Sequence, residues 1–258
     1  MKVGINMTTA RNVIARLFLG LAALSSAAWA VAVLSHPDAS VQLDDIANRI
    51  MSGDAFQRNP IPASDQLLAA AEGRAFCNPL EMRGAAIIRL RLVEDAINAS
   101  ETQLSDQRLK SLQSSVDRAL GCVPTEGFLW FIRYWSALHA GAAASDHFDE
   151  LRMSYRLAPY EGWIALRRSP FTLAAYDSLP DDVQEMARNE FVAIVASDFI
   201  GDAVKILQGP GWPIRDQLLP GLEKVRLAIR IRLDRAMQSQ GLTVTVPGVE
   251  PREFRPWQ

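Results

Sequence analysis

The chain has 258 residues, 49% of them hydrophobic and 22% charged, with a formal charge of −2 and a pI near 6.0. This balance excludes a disordered or collagen-like chain and a multi-pass membrane protein, and it suffices for one or two cored domains. It lacks the basic excess of a nucleic-acid binder, and two cysteines are too few for a disulfide-dense scaffold.

Residues 1–16 carry Lys2, Arg11 and Arg16 and no acid, which predicts a basic cytoplasmic N-terminus. Residues 17–34 (LFLGLAALSSAAWAVAVL) then run without a charge. As a helix they reach about 27 Å, close to the roughly 30 Å hydrocarbon core of a bilayer. Asp38, Asp44 and Asp45 follow, so the charge asymmetry predicts a signal-anchor with the remaining chain exported. A cleaved signal peptide is the alternative, because Ala28-Trp29-Ala30 offers small residues at the positions a signal peptidase reads. Residues 35–63 read as a linker with a short helix around Leu43–Met51, broken at Asn59-Pro60-Ile61-Pro62.

From Ser64 to Gly241 the apolar spacing is helical, and residues 64–241 are expected to form an all-α domain. The triplet Pro-x-Glu recurs at Pro79-Leu80-Glu81, Pro124-Thr125-Glu126 and Pro159-Tyr160-Glu161. Proline suits the first helical position and glutamate the first turn, and Asn78 with Glu81 has the form of a capping box. Helices are expected over Pro79–Asn98, Ser105–Leu120, Thr125–Ala140 and Ser145–Leu157. A shorter one over Glu161–Arg168 is expected to stop at Ser169-Pro170. Further helices follow from Pro180 toward Ser197, over Asp202–Gln208, and in one long run from Ile214 to Gln240. Leu242–Val246 (LTVTV) is the one period-two alternation, too short to build a sheet. Residues 242–258 read as an extended tail.

A helix pair about 35 residues long that ends in Leu157-Ala158-Pro159 resembles a tetratricopeptide-type repeat, with Ser154 at the small position. Tyr134 or Trp135 and His147 stand where that family has small residues. The resemblance implies a stack of α-hairpins that binds other proteins. The membrane segment, the short helical module and the block SYRLAPYEGWIALRRSPF together resemble small accessory proteins of bacterial exopolysaccharide assembly. Cys77 and Cys122 each stand two residues before a proline that opens a repeat. Stacked hairpins would bring them to one edge, within the roughly 7 Å Cα separation a disulfide allows; two separate buried thiols are the alternative.

The run from Phe128 to Trp135 is apolar on almost every side, so it is either wrapped by neighbours or lines a cleft. Trp130, Tyr134, Trp135 and Trp163 are therefore candidate surface residues for a partner or a sugar. Arg226 and Arg230 are candidates for an anionic glycan or headgroup, although Glu223–Arg226 and Arg230–Asp234 have helical pairing distances. His36, His139 and His147 miss the spacing of a zinc site. No phosphate loop, Gly-x-Ser-x-Gly elbow or CxxC occurs, so no catalytic, cofactor or metal residue is assigned. The expectation is a single-pass inner-membrane protein with its C-terminal domain in the periplasm, binding a protein partner in or at the membrane. A helical factor that binds polysaccharide or lipid-linked sugar is the alternative, and no nucleic acid is expected.

Overall fold

The structure is a computed structural model that describes residues 7–34, 37–53, 65–74 and 77–250. His36, the Asn59–Pro62 break and the end of the tail from 251 to 258 lie outside the described residues. Among the described residues every regular element is helical, with no strand. Helix α1 is Met7–Leu34, and it contains a stretch, Arg11–Val31, long and apolar enough to cross a membrane. None of that stretch is buried against the rest of the chain.

Helix α2 (Pro37–Met51) begins earlier than the apolar spacing alone suggests. It is no free linker element, because Leu43, Ile46, Ala47 and Ile50 are buried in the common core. Helix α3 (Asp65–Glu72) is tied to α4 (Pro79–Asn98) by Arg89, which donates to both Glu72 oxygens at 2.6 and 2.9 Å. The α4 start follows expectation in part. Asn78 accepts from the Leu80 N–H at 3.2 Å, and Pro79 takes the first turn. Glu81 does not close a capping box; it is buried and receives Arg74 at 2.5 Å.

Helices α5 (Thr102–Cys122), α6 (Gly127–His139), α7 (Phe148–Leu157), α8 (Gly162–Ala174) and α9 (Asp181–Ala196) continue the body. A 3-10 turn, Ala144–His147, precedes α7. Successive helices are antiparallel. Arg108 on α5 donates to the Leu92 carbonyl at 2.8 Å, and Arg133 on α6 lies 3.8 Å from Glu150 on α7. Alternate helices run parallel instead: Phe128 and Phe131 on α6 meet Trp163 and Phe171 on α8, and Arg152 and Tyr155 on α7 meet Asp182 and Glu190 on α9. Contacts thus also join α4 to α6, α6 to α8 and α7 to α9.

The second and third Pro-x-Glu triplets precede their helices. Glu126 and Glu161 are N-caps without a side-chain bond, and the helices open at Gly127 and Gly162. A Cβ on Gly127 would fall 2.6 Å from the Ala158 Cβ, so this start accepts no side chain where the end of α7 crosses it.

Two expected boundaries are corrected. Pro170 does not end α8, which continues to Ala174. An internal proline costs about 3 kcal/mol, and here Thr172 and Leu173 are buried beyond it, with the Thr172 hydroxyl on the Arg168 carbonyl. The last helix is not one run either. It divides into α11 (Arg215–Leu218), a 3-10 turn Leu219–Lys224 and α12 (Leu227–Ser239), after α10 (Ile200–Gln208). Pro220 lacks the N–H the ladder needs. At Gly221 a Cβ would sit 2.7 Å from Val192, so the turn presses closely onto α9.

Candidate interaction surface

The aromatic residues divide between interior and edge. Tyr134 is fully buried and Trp135 is 5% exposed, so neither is available to a partner as the molecule stands. Burial raises the Tyr134 hydroxyl above the ordinary tyrosine value, and that hydroxyl has no hydrogen-bond partner among the described residues. Trp135 stacks on His139 at 3.8 Å, and the His139 Nδ1 lies 2.9 Å from the Trp135 carbonyl oxygen. Trp130 and Trp163 are half-buried. The Trp130 indole donates to the Pro124 carbonyl at 2.8 Å, fixing the link into α6. Trp163 sets its edge on Phe128 at 4.5 Å with the Arg83 guanidinium 5.6 Å from its ring. Arg83 also reaches Glu126 at 3.5 Å. The aromatic helix is therefore mostly core, with two indoles showing at its margin.

The helix starts share one edge. Cys77 and Cys122 form a disulfide there with a Cα–Cα separation of 5.7 Å. Leu80 and Tyr160, both at starts of first helices, are exposed, and Phe199 lies 3.5 Å from where a Gly162 Cβ would be.

Arg226 lies at the start of α12 and Arg230 on that helix, which packs against α9 and α10. Arg226 is the exposed residue preceding α12. Arg230 is half-buried and donates to the Pro247 carbonyl. Neither helical ion pair expected from spacing forms: Glu223 sits in the 3-10 turn and Arg226 outside the helix, while Asp234 receives Gln238 at 2.8 Å. Arg232 instead pairs with Asp198 at 2.8 Å. Among the described residues Arg226 and Arg235 have no acidic partner, and Arg235 borders an open cleft of about 560 Å³ with Arg232, Asp198 and Gly201.

The most structured polar group was not apparent from motifs. Arg168 on α8 is wholly buried and donates to Glu190 on α9, to the Ser154 hydroxyl at 2.8 Å and to the Ala158 carbonyl at 3.2 Å. Its guanidinium lies 3.8 Å from the centre of the Tyr155 ring, whose hydroxyl donates to Glu190 at 3.1 Å. Burial pushes Glu190 above the usual carboxylate range, and Arg168 opposes that push. Burial and then the Glu190 charge raise Tyr155 well above its ordinary value. Every group in this centre has a partner, so it locks α7, α8 and α9 together. The signal was present: Arg168 shares a helical face with Ile164, Ala165 and Thr172, all buried, and a charge on such a face needs a buried counter-charge.

No protein family, curated protein or solved structure matches the chain. Among the described residues no group of three or more His, Cys, Asp or Glu side chains is placed to hold a metal.

Proposed function

We propose that the chain is a membrane-tethered helical-hairpin module that binds another protein on the exported side of the inner membrane. The observation that carries this reading is α1. None of its Arg11–Val31 stretch is buried against the described residues, and two residues separate the helix from α2, which is built into the body. A helix apolar on all sides with no protein around it needs a bilayer. The basic residues before it orient the body outward, into the periplasm, where the Cys77–Cys122 bridge is chemically at home. The stacked antiparallel helices support a tetratricopeptide-like scaffold, and the burial of Tyr134 and Trp135 favours a protein partner over a sugar cleft.

One observation favours the alternative, an accessory factor for polysaccharide or lipid-linked sugar in exopolysaccharide assembly: Arg226 and Arg235 are exposed cations without acidic partners among the described residues. Photo-crosslinking in intact cells separates the two. A protein adduct from positions around Tyr160 and Leu80 supports the module. Adducts found only around Arg226 and Arg235, carrying glycan, would replace it. Protease added to spheroplasts tests the orientation: the body is cut from outside, and protection until lysis would overturn the exported placement.

A further inference from the structure

Leu242–Val246 alternates as a strand does, yet no strand lies beside it among the described residues. The segment follows α12 outside any regular element, with Val246 buried, Leu242 and Val244 half-buried against the core, and Thr243 and Thr245 exposed. Its inward and outward residues therefore divide as they would in a sheet with one solvated face. The Leu242 N–H donates to the Met237 carbonyl at 3.0 Å, and the Val246 carbonyl accepts from Val249 at 3.1 Å. Between these points the N–H groups of Thr243, Val244, Thr245 and Val246 have no partner among the described residues. Neither do the carbonyls of residues 242–245. A row of free donors and acceptors at strand spacing is a template for another backbone.

The same segment borders a cleft of about 370 Å³, shared with Arg215, Asp216, Leu219 and Pro220. Arg215 is held in place there. It donates to the Trp212 carbonyl at 2.9 Å, and its guanidinium lies 4.7 Å from the Trp212 ring centre. Its Nε lies 4.0 Å from the exposed Asp216 carboxylate on the same wall of the cleft, and the remaining edge of the planar guanidinium is suited to a second carboxylate.

We propose that this cleft takes an extended segment of a partner protein, added as a strand along residues 242–246, with an acidic side chain set against Arg215. The inference rests on the protein-binding reading above and specifies how one partner is held. A backbone matches the row of unpaired groups, which a sugar or a lipid chain does not. A second copy of residues 242–246 brings no carboxylate to Arg215, so the occupant comes from another protein.

The test uses the full chain in nanodiscs and a fluorescein-labelled seven-residue peptide of alternating threonine and valine with one central aspartate. Its twin, N-methylated at alternate amides, keeps the side chains and loses strand pairing. Saturable anisotropy is expected with the plain peptide. Binding should be about tenfold weaker for the methylated twin and for Thr245→Pro, and about threefold to tenfold weaker for Arg215→Ala. Absence of binding, or equal binding of the twin, overturns the proposal. So does a dimer in sedimentation that Thr245→Pro dissolves. If Thr245→Pro does not fold, the twin and Arg215→Ala decide. In cells, partner adducts unchanged by Thr245→Pro would sink the cleft and leave the module standing, whereas peptide binding with no cellular adduct would count against the module alone.

Discussion

Helices α1 and α6 are both apolar nearly all the way round, and they end in opposite surroundings. In α6, Leu129, Ile132 and Tyr134 are fully buried, wrapped by α5, α7 and α8. In α1, Phe18, Leu21 and Leu24 are 75%, 68% and 72% exposed. Apolarity on every side states only that a helix needs a non-aqueous environment; for α6 the chain itself supplies it, and for α1 it does not. The polar groups follow the same division. Ser25 and Ser26 on α1 return their hydroxyls to the Ala22 carbonyl, so neither needs a partner from outside the helix.

The sharpest way to break this contrast is to put one charge into each helix. Leu129→Asp in α6 should cost about 5 kcal/mol, because the carboxylate would lie in a dry core without a partner. Leu21→Asp in α1 should leave the urea midpoint of the body unmoved in detergent. It should instead weaken membrane insertion by about 2.5–3.5 kcal/mol, read as release into the soluble fraction. Equal effects on unfolding would mean that α1 packs on the body.

The body does house charge where it supplies every partner, and α7–α9 show the terms. Glu190→Ala leaves the buried Arg168 with only neutral partners, Ser154, Ala158 and Tyr155, and should destabilise by about 3–5 kcal/mol in chemical unfolding. Replacing both, as Arg168→Met with Glu190→Leu, should recover most of that loss. A double variant no better than the single one would show that the ionic pairing itself, rather than the filled space, holds the three helices.

The bridge at the edge of helix starts depends on the redox state of the compartment around the body. Cys77 and Cys122 close a 45-residue separation, and reduction should cost about 2–4 kcal/mol. Thiol alkylation before and after reduction checks its state in cells. Free thiols in freshly lysed cells would speak against an exported body and leave the burial contrast between α1 and α6 intact.

Much of the helical layout was legible because its punctuation is local. Asn78-Pro79 fixes the α4 start, and the spacing of the two cysteines before Pro79 and Pro124 anticipated their meeting. What failed did so through tertiary packing. Pro170 reads as a stop until Thr172 and Leu173 are seen buried beyond it, and Arg226 loses its expected partner because Pro220 breaks the helix that would align them. Among the candidate surface residues, Tyr134 and Trp135 could not be told from core by a pattern that is apolar on both faces. Arg168 was hidden for the opposite reason: its partners Ser154 and Glu190 stand 14 and 22 residues away, outside any local motif.

The smallest expected effect isolates the body from α1 by pH. Tyr155 holds its proton more tightly folded than unfolded, chiefly through burial and next through the Glu190 charge. Its contribution is then complete below the ordinary tyrosine value of about 10 and is lost as pH rises through and beyond it. Glu190 is raised too, so its own contribution falls as pH rises above the ordinary carboxylate range, a separate and more acidic window. Tyr155→Phe should therefore flatten only the alkaline limb of stability against pH, at a neutral-pH cost of about 1 kcal/mol for the lost bond to Glu190. Truncating α1 should change neither limb, since it has no contact with either group. An alkaline limb that survives in the Phe variant would place the titrating group outside the α7–α9 centre.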